Sequence, residues 1–289
     1  MSARQGSRRR AAAMVAGQAL AAVLSLALAI TVLGSCAGER PSLGTLAPSV
    51  PSTEATTAPT SSSTTTALPG PAVAGRVLTP DDLLGWIATP VGDPQVFSQP
   101  SEQSDRIDIG PKTTAGAPTT FAVVGDASAD ATPAVAGWYE VALPTRPNGS
   151  TGWVPADSVT LARTPFRVFV DLGDRTLRVE EDGSGVFTAE VAIGTDDNPT
   201  PTNGTFLTEL IENTDPDGAY GPYAFGLALH SDTLTEFAGG PGQVGIHGTN
   251  QPAKIGQKVS HGCVRLRNSD VQDLVDLGLP LGAPVFITA

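Results

Sequence analysis

Two segments hold the residues able to do chemistry: Ile246-His247-Gly248-Thr249-Asn250 and Ser260-His261-Gly262-Cys263-Val264-Arg265-Leu266-Arg267-Asn268. Two of the chain's three histidines and one of its two cysteines fall within seventeen residues there. A thiol attacks an acyl centre only as thiolate, and a neighbouring imidazole can lower its pKa from the free value of about 8.5. His247 and His261 are both candidates for that base. His261 and Cys263 are two residues apart, so on a strand they share a face, whereas a sharp turn at Gly262 would separate them. His247 ends a strand-like run over residues 243–246, and a hairpin-like loop can bring it back over Cys263. Gly262 lets the backbone approach a ligand closely, so N–H groups near Cys263 could hold an oxyanion. The same His247, His261 and Cys263 could alternatively ligate zinc. Against this, no short ligand pair of the usual spacing accompanies the thiol, and His-Gly-Cys is tight for one tetrahedral centre. The third histidine, His230, lies outside the motif and reads as an exposed loop or strand position.

The elements that must position this motif are mostly strands. Phe166-Arg167-Val168-Phe169-Val170 is a strand, Gly173-Asp174 turns it, and Thr176-Leu177-Arg178-Val179 alternates apolar and polar residues. Asp182-Gly183-Ser184-Gly185 turns again, residues 187–193 form a third strand, and Pro284-Val285-Phe286-Ile287-Thr288 a last one. One helix is convincing: Ser269 caps it, Asp270 lies in its first turn, Val271, Leu274, Val275 and Leu277 form its apolar face, and Gly278 and Pro280 end it. Residues 164–289 thus read as a mostly-β catalytic domain of two packed sheets or an open barrel.

Upstream, residues 76–163 read as a small β module. Gln95-Val96-Phe97, Thr120-Phe121-Ala122-Val123-Val124, Gly137-Trp138-Tyr139-Glu140-Val141 and Gly152-Trp153-Val154-Pro155 alternate with Gly, Pro and Asp turns. The pattern is similar to bacterial SH3-like barrels, with Trp138 and Trp153 expected in the core; Trp86 is not assignable. Residues 37–75 are a Pro/Ser/Thr-rich linker that cannot bury enough area to offset the entropy of ordering it. Residues 1–36 read as a signal segment: Arg4, Arg8, Arg9 and Arg10, an apolar run, then Leu33-Gly34-Ser35-Cys36, which resembles a lipoprotein signal. The resemblance implies lipidation of Cys36 and a membrane anchor, with an uncleaved helix as the alternative.

The net charge is −12, and loss of the four arginines before Cys36 takes it to −16. Such acidity argues against nucleic acid and against adhesion of the folded part to anionic lipid. With Cys36 modified, Cys263 has no intramolecular disulfide partner, so it is either a buried core cysteine or a reactive one.

His-Gly-Thr-Asn, a loop, then Ser-His-Gly-Cys-Val-Arg resembles the motif of YkuD-type L,D-transpeptidases. The resemblance covers about residues 165–289, including Thr200-Pro201-Thr202-Asn203-Gly204-Thr205-Phe206, where Asn203 is one residue more than the family's segment has. It implies a mostly-β fold, an L,D-transpeptidase-type β-sandwich with one short helix, preceded by the SH3-like module. It implies Cys263 as nucleophile, His247 as base, the Gly248 carbonyl orienting the imidazole, and His261 lining the site. Gly262 and Cys263 N–H groups would form the oxyanion hole, while Arg265, Tyr223 and Asn268 would face the substrate. The implied substrates are peptidoglycan stem peptides, joined between their third residues, with carbapenem-type inhibitors acylating the same thiol. No cofactor, metal or nucleic acid is implied. The same thiol could serve an L,D-carboxypeptidase or a protein-to-wall anchoring enzyme, and a non-catalytic wall-binding protein is the reading of another class.

Overall fold

The computed structural model describes residues 75–125, 135–237 and 239–289, all within one compact unit. The signal segment 1–36 with Cys36, and the linker up to residue 74, lie outside the described residues. The first part carries β1 (Trp86–Pro90), β2 (Val96–Phe97), β3 (Arg106–Ile107), β4 (Phe121–Ala122), β5 (Trp138–Ala142), β6 (Thr151–Pro155) and β7 (Val159–Arg163). The second carries β8 (Phe166–Asp171), β9 (Thr176–Glu181), β10 (Ser184–Glu190), β11 (Ile193–Gly194), β12 (Asn203–Glu212), β13 (Tyr223–His230), β14 (Gln243–His247), β15 (Lys258–Ser260), β16 (Val264–Arg265) and β17 (Pro284–Thr288). The helix α1 (Asn268–Asp276) lies between β16 and β17.

In the second part, period-two alternation places Val168, Val170, Leu177, Val179, Leu227, Val244, Ile246, Val264, Val285 and Ile287 in one core. These residues come from both ends of a single eight-stranded sheet ordered β10-β9-β8-β17-β12-β13-β14-β16. Laid flat, its outer strands would stand about 34 Å apart at ordinary strand spacing. They share a core because the sheet curls. The curl is stitched shut where Ala192, just past β10, exchanges both backbone hydrogen bonds with Arg265 of β16 at 2.8 and 2.9 Å. The expected two layers are therefore one curled sheet, nearer to the open-barrel expectation.

Helix α1 closes the core with Val271 and Leu274. It starts two residues earlier than the capping pattern predicts. Arg267 is the N-cap without a side-chain bond, and Ser269 Oγ meets Asp270 Oδ1 instead. Its end is as read: Gly278 takes φ +71° and its N–H donates to Val275 O.

The first part is two small sheets, β4-β1-β7 and β3-β2-β6-β5, closed over Val96, Phe121, Val123, Val141 and Val154. β1 and β7, which the sequence pattern leaves unassigned, pair along five residues from Trp86 to Pro90. Trp138 and Trp153 are not in this core. Both are half-buried, because Val141 and Val154 take the inward positions and each tryptophan is an odd number of residues away. On the outer face Phe97 lies opposite Trp153, and its ring meets that of Trp138 edge-on, centroids 5.4 Å apart.

The two parts share a third core of Leu78, Leu83, Ala122 and Ala142 against Phe206, Ala228 and Phe286. The seam is polar at its edges. Asn203 Oδ1 accepts the Leu78 N–H at 2.7 Å and its Nδ2 donates to Arg76 O at 3.1 Å. The residue by which the 200–206 segment exceeds the family pattern is thus the one that pins the module. On the far side, Asn148 and His230 exchange two bonds of 2.7 and 2.8 Å.

Candidate active site

The alternation that buries Ile246 and Val264 turns their neighbours to the other face of the sheet. β14 and β16 run parallel, with Ile246 beside Val264 and His247 beside Arg265. Gly245, His247, Cys263 and Arg265 therefore share the outer face. One strand over, Ala224 lies opposite His247 and Gly226 opposite Gly245. These small residues leave a trough whose floor is backbone, with Cys263 in it.

His247 is 3% exposed, and its Nδ1 donates to the Gly248 carbonyl at 2.6 Å. That bond fixes the tautomer and leaves the Nε2 lone pair free. Burial holds the imidazole pKa down at about 4 despite the carbonyl, and Arg265 adds to the lowering. Cys263 is half-buried, and burial raises its thiol pKa, opposed by a Gly245 backbone bond and by Arg265. The resting pair is thus neutral thiol and neutral imidazole.

Gly248 has no room for a side chain. A β-carbon there would meet Asn268 Oδ1 at 2.5 Å and Gly221 Cα at 3.0 Å. Asn268 Oδ1 accepts the Thr249 N–H at 2.8 Å and its Nδ2 donates to Pro216 O, so Asn268 braces the loop behind His247 and does not line the cavities at Cys263. Gly262 takes φ +118°, a left-handed conformation suited to glycine, and its N–H donates to Ser260 Oγ at 3.1 Å. Ser260 Oγ donates in turn to the Cys263 carbonyl at 2.6 Å. The N–H expected to face an oxyanion therefore has a partner inside the turn.

His261 is exposed, with its ring 5.0 Å from that of Phe237. Arg265 lines the same cavity, its Nε buried and without a hydrogen-bond partner among the described residues. Tyr223, expected on the cleft wall, packs instead on the core at the start of β13 and offers its carbonyl to the Gly248 N–H. The aromatic beside the site is Tyr220, its ring 4.8 Å from His247. Its hydroxyl pKa is raised by burial and by Cys263. Tyr220 and Phe237 lie in loops without periodicity, so neither was legible in the sequence. His230 is buried at the end of β13 rather than exposed, with Nδ1 unpartnered among the described residues and its pKa lowered by burial and by Arg146. It lies outside the cavities at Cys263. Among the described residues no three His, Cys, Asp or Glu side chains come together to hold a metal ion.

The first part reaches this site as well. Arg146 donates to the carbonyls of Ser231, Leu234 and Pro241, bracing the loop that carries Phe237. Thr114 and Ala115 line the trough from above.

The family model for YkuD, the L,D-transpeptidase catalytic domain, matches residues 165–287. The YkuD protein of Bacillus licheniformis is 36% identical over 124 residues, covering 43% of this chain and 66% of the relative. That of Bacillus subtilis (strain 168) is 32% identical over 123 residues, again 43% of this chain and 66% of the relative. The chain spans a little under two thirds of the length of these relatives. Among solved structures, an L,D-transpeptidase from Mycobacterium tuberculosis H37Rv is 16% identical with a TM-score of 0.37, covering 50% of this chain and 75% of that one. The segment that carries His247 and Cys263 on one face of the curled sheet is thus the one that matches the family model of the L,D-transpeptidase catalytic domain, YkuD, and that is similar to these relatives.

Proposed function

We propose that this protein is a peptidoglycan L,D-transpeptidase that joins the third residues of two stem peptides through a thioester on Cys263. The observation that carries the reading is the neutral His247, buried, fixed by Gly248 O and on the same face as Cys263. As the sulfur attacks the acyl carbon of a donor stem's third residue, the thiol proton passes to His247 Nε2. The tetrahedral oxyanion is met by backbone N–H at Cys263, joined by that of Gly262 only if it leaves Ser260. His247 returns its proton to the departing amine, a terminal D-alanine is released, and a thioester remains. The side-chain amine of a second stem then forms the new C–N bond as the C–S bond breaks. His247 takes the amine's proton and restores the thiol. The chain's energy source is the cleaved amide bond, so no nucleotide is needed.

Arg265 suits a substrate carboxylate, through charge-assisted hydrogen bonds in the cavity it shares with His261. A carbapenem is expected to acylate the same thiol. Substrate class and signal-like segment together support a location outside the cytoplasm, and this reading includes a membrane anchor through Cys36 and an SH3-like module preceding the catalytic domain.

The test is incubation of the protein with a diaminopimelate-containing tetrapeptide, following products by mass. A stem dimer lacking one D-alanine, formed by the native protein and absent with Cys263→Ala and His247→Ala, supports the reading. Loss of D-alanine without dimer moves the assignment to a carboxypeptidase. No product from folded protein overturns it.

A further inference from the structure

Glu209 is a charged side chain that the proposed chemistry does not use. It is 4% exposed, and among the described residues it has no cationic partner. Its one hydrogen bond is a long one, from the Ala115 N–H to Oε2 at 3.3 Å. An isolated buried carboxylate is costly unless something compensates its charge.

Its position is defined by register. On β12 a bulge between Leu207 and Glu209 re-aims the strand, and Glu209 comes opposite Gly226 of β13. Gly226 lies opposite Gly245 of β14, and Gly245 lies beside Cys263. Three adjacent strands and the residue just before β16 thus carry Glu209, Gly226, Gly245 and Cys263 in one row on one face. The row's middle is bare backbone, and its ends are a carboxylate and a thiol. The Glu209 side chain leans along the row: a β-carbon on Gly226 would meet its Cγ and Oε1 at 2.7 Å. Among the described residues Oε1 has no hydrogen-bond partner, and the carboxylate lines the same cavity of about 300 Å³ as Cys263, His247 and Tyr220. Gly226 and Cys263 stand two strand spacings apart, about 10 Å. That span accommodates an acyl group on the sulfur and an amine approaching it from the Glu209 side. The neighbouring cavity, which shares Tyr220, His247 and Cys263 with this one, carries Arg265 and no carboxylate. The two approaches to the thiol therefore differ in charge.

We infer that Glu209 is the recognition site for the incoming acceptor, binding its primary amine as ammonium at the end of the trough opposite Arg265. The inference rests on the transpeptidase reading and deepens it by assigning the acceptor's approach. The ammonium supplies the missing countercharge while it is bound; it then releases one proton to solvent to become the neutral amine that attacks, and its second proton passes to His247 as the C–N bond forms. The Ala115 loop of the first part forms the roof of this subsite. A carboxylate here selects amines over water and over neutral nucleophiles.

The test uses the full protein and its Glu209→Gln variant, whose amide oxygen still accepts the Ala115 N–H. Two rates are read by mass: thioester formation from a donor tetrapeptide, and partition of that thioester between water and an amine-bearing acceptor stem over a concentration series. The expected result is an acceptor KM raised about tenfold or more, with thioester formation within about twofold of native. Glu209→Asp, which keeps the charge, should recover part of the loss. An unchanged acceptor dependence overturns the inference. So does a parallel fall in both rates, which marks Glu209 as structural only. A native thioester that only water resolves, at any acceptor concentration, removes the amine subsite while leaving the thiol chemistry intact. Absence of a native thioester overturns the transpeptidase reading and this inference with it.

Discussion

The carbonyl of Gly248 holds the Nδ1 proton of His247 at 2.6 Å, and nothing but glycine fits where that carbonyl originates. A methyl group there would collide with Asn268 Oδ1, the atom that fixes the Thr249 N–H. Gly248→Ala is therefore expected to rotate the carbonyl away from the imidazole. The predicted loss in kcat/KM is on the order of 100-fold, the scale of a small misplacement of a catalytic group. Steady-state kinetics beside a thermal melt separate this from unfolding. Native-like rates in a folded variant would show that the carbonyl is dispensable.

His247 also makes stability depend on pH. Its pKa is about 4 in the fold against an ordinary value near 6.5. Below 6.5 the unfolded chain takes up a proton that the folded chain refuses. Stability from this group is complete above that pH and falls as the pH drops toward 4, by roughly 3 kcal/mol in all. Denaturant unfolding at several pH values, compared with His247→Gln, should show that slope in the native protein and a flatter one in the variant over the same window.

The neutral resting pair makes a kinetic prediction. Burial raises the thiol pKa, so alkylation of Cys263 by iodoacetamide should still climb with pH above 8. A preformed thiolate–imidazolium pair would instead level off in the acidic range. Reaction rates read by mass between pH 5 and 10 distinguish the two.

Arg146 ties three carbonyls of the loop bearing Phe237. Arg146→Ala is expected to loosen that loop without unfolding the protein, because the Asn148–His230 pair remains. Amide exchange over residues 231–242 should speed up by about tenfold or more, and donor KM should rise. Unchanged exchange there would show that the loop holds itself.

Asn203→Ala should act differently, on stability. It leaves the buried Leu78 N–H without an acceptor and frees Arg76 O, at a cost of about 1–3 kcal/mol. A fall in the unfolding midpoint, with thioester formation preserved, is the expected outcome.

Much of this site was legible because it is written in short-range order. The period-two alternation around Ile246 and Val264 and the glycines at 248 and 262 are local signals. What was not legible depends on contacts distant in sequence. Tyr220 replaces Tyr223 at the cleft because the start of β13 turns Tyr223 inward, a matter of register between strands. Asn268 looks like a substrate ligand in the motif, yet the return of the chain at Pro216 and Thr249 makes it a brace. Trp138 and Trp153 suggested a core by size alone, whereas the pairing of β5 with β6 gives the inward positions to valines. Glu209 carries no motif, and only the row across three strands brings it to Cys263.

The proposed chemistry puts the acyl group on Cys263 and has His247 prepare the thiol. Intact mass of the protein after brief exposure to a donor tetrapeptide, followed by peptide mapping, is the decisive measurement. The expected mass gain equals the stem without its terminal D-alanine, is located on Cys263, is absent in Cys263→Ala and is strongly slowed in His247→Ala. An adduct on another residue, or one that forms equally well without His247, would contradict it.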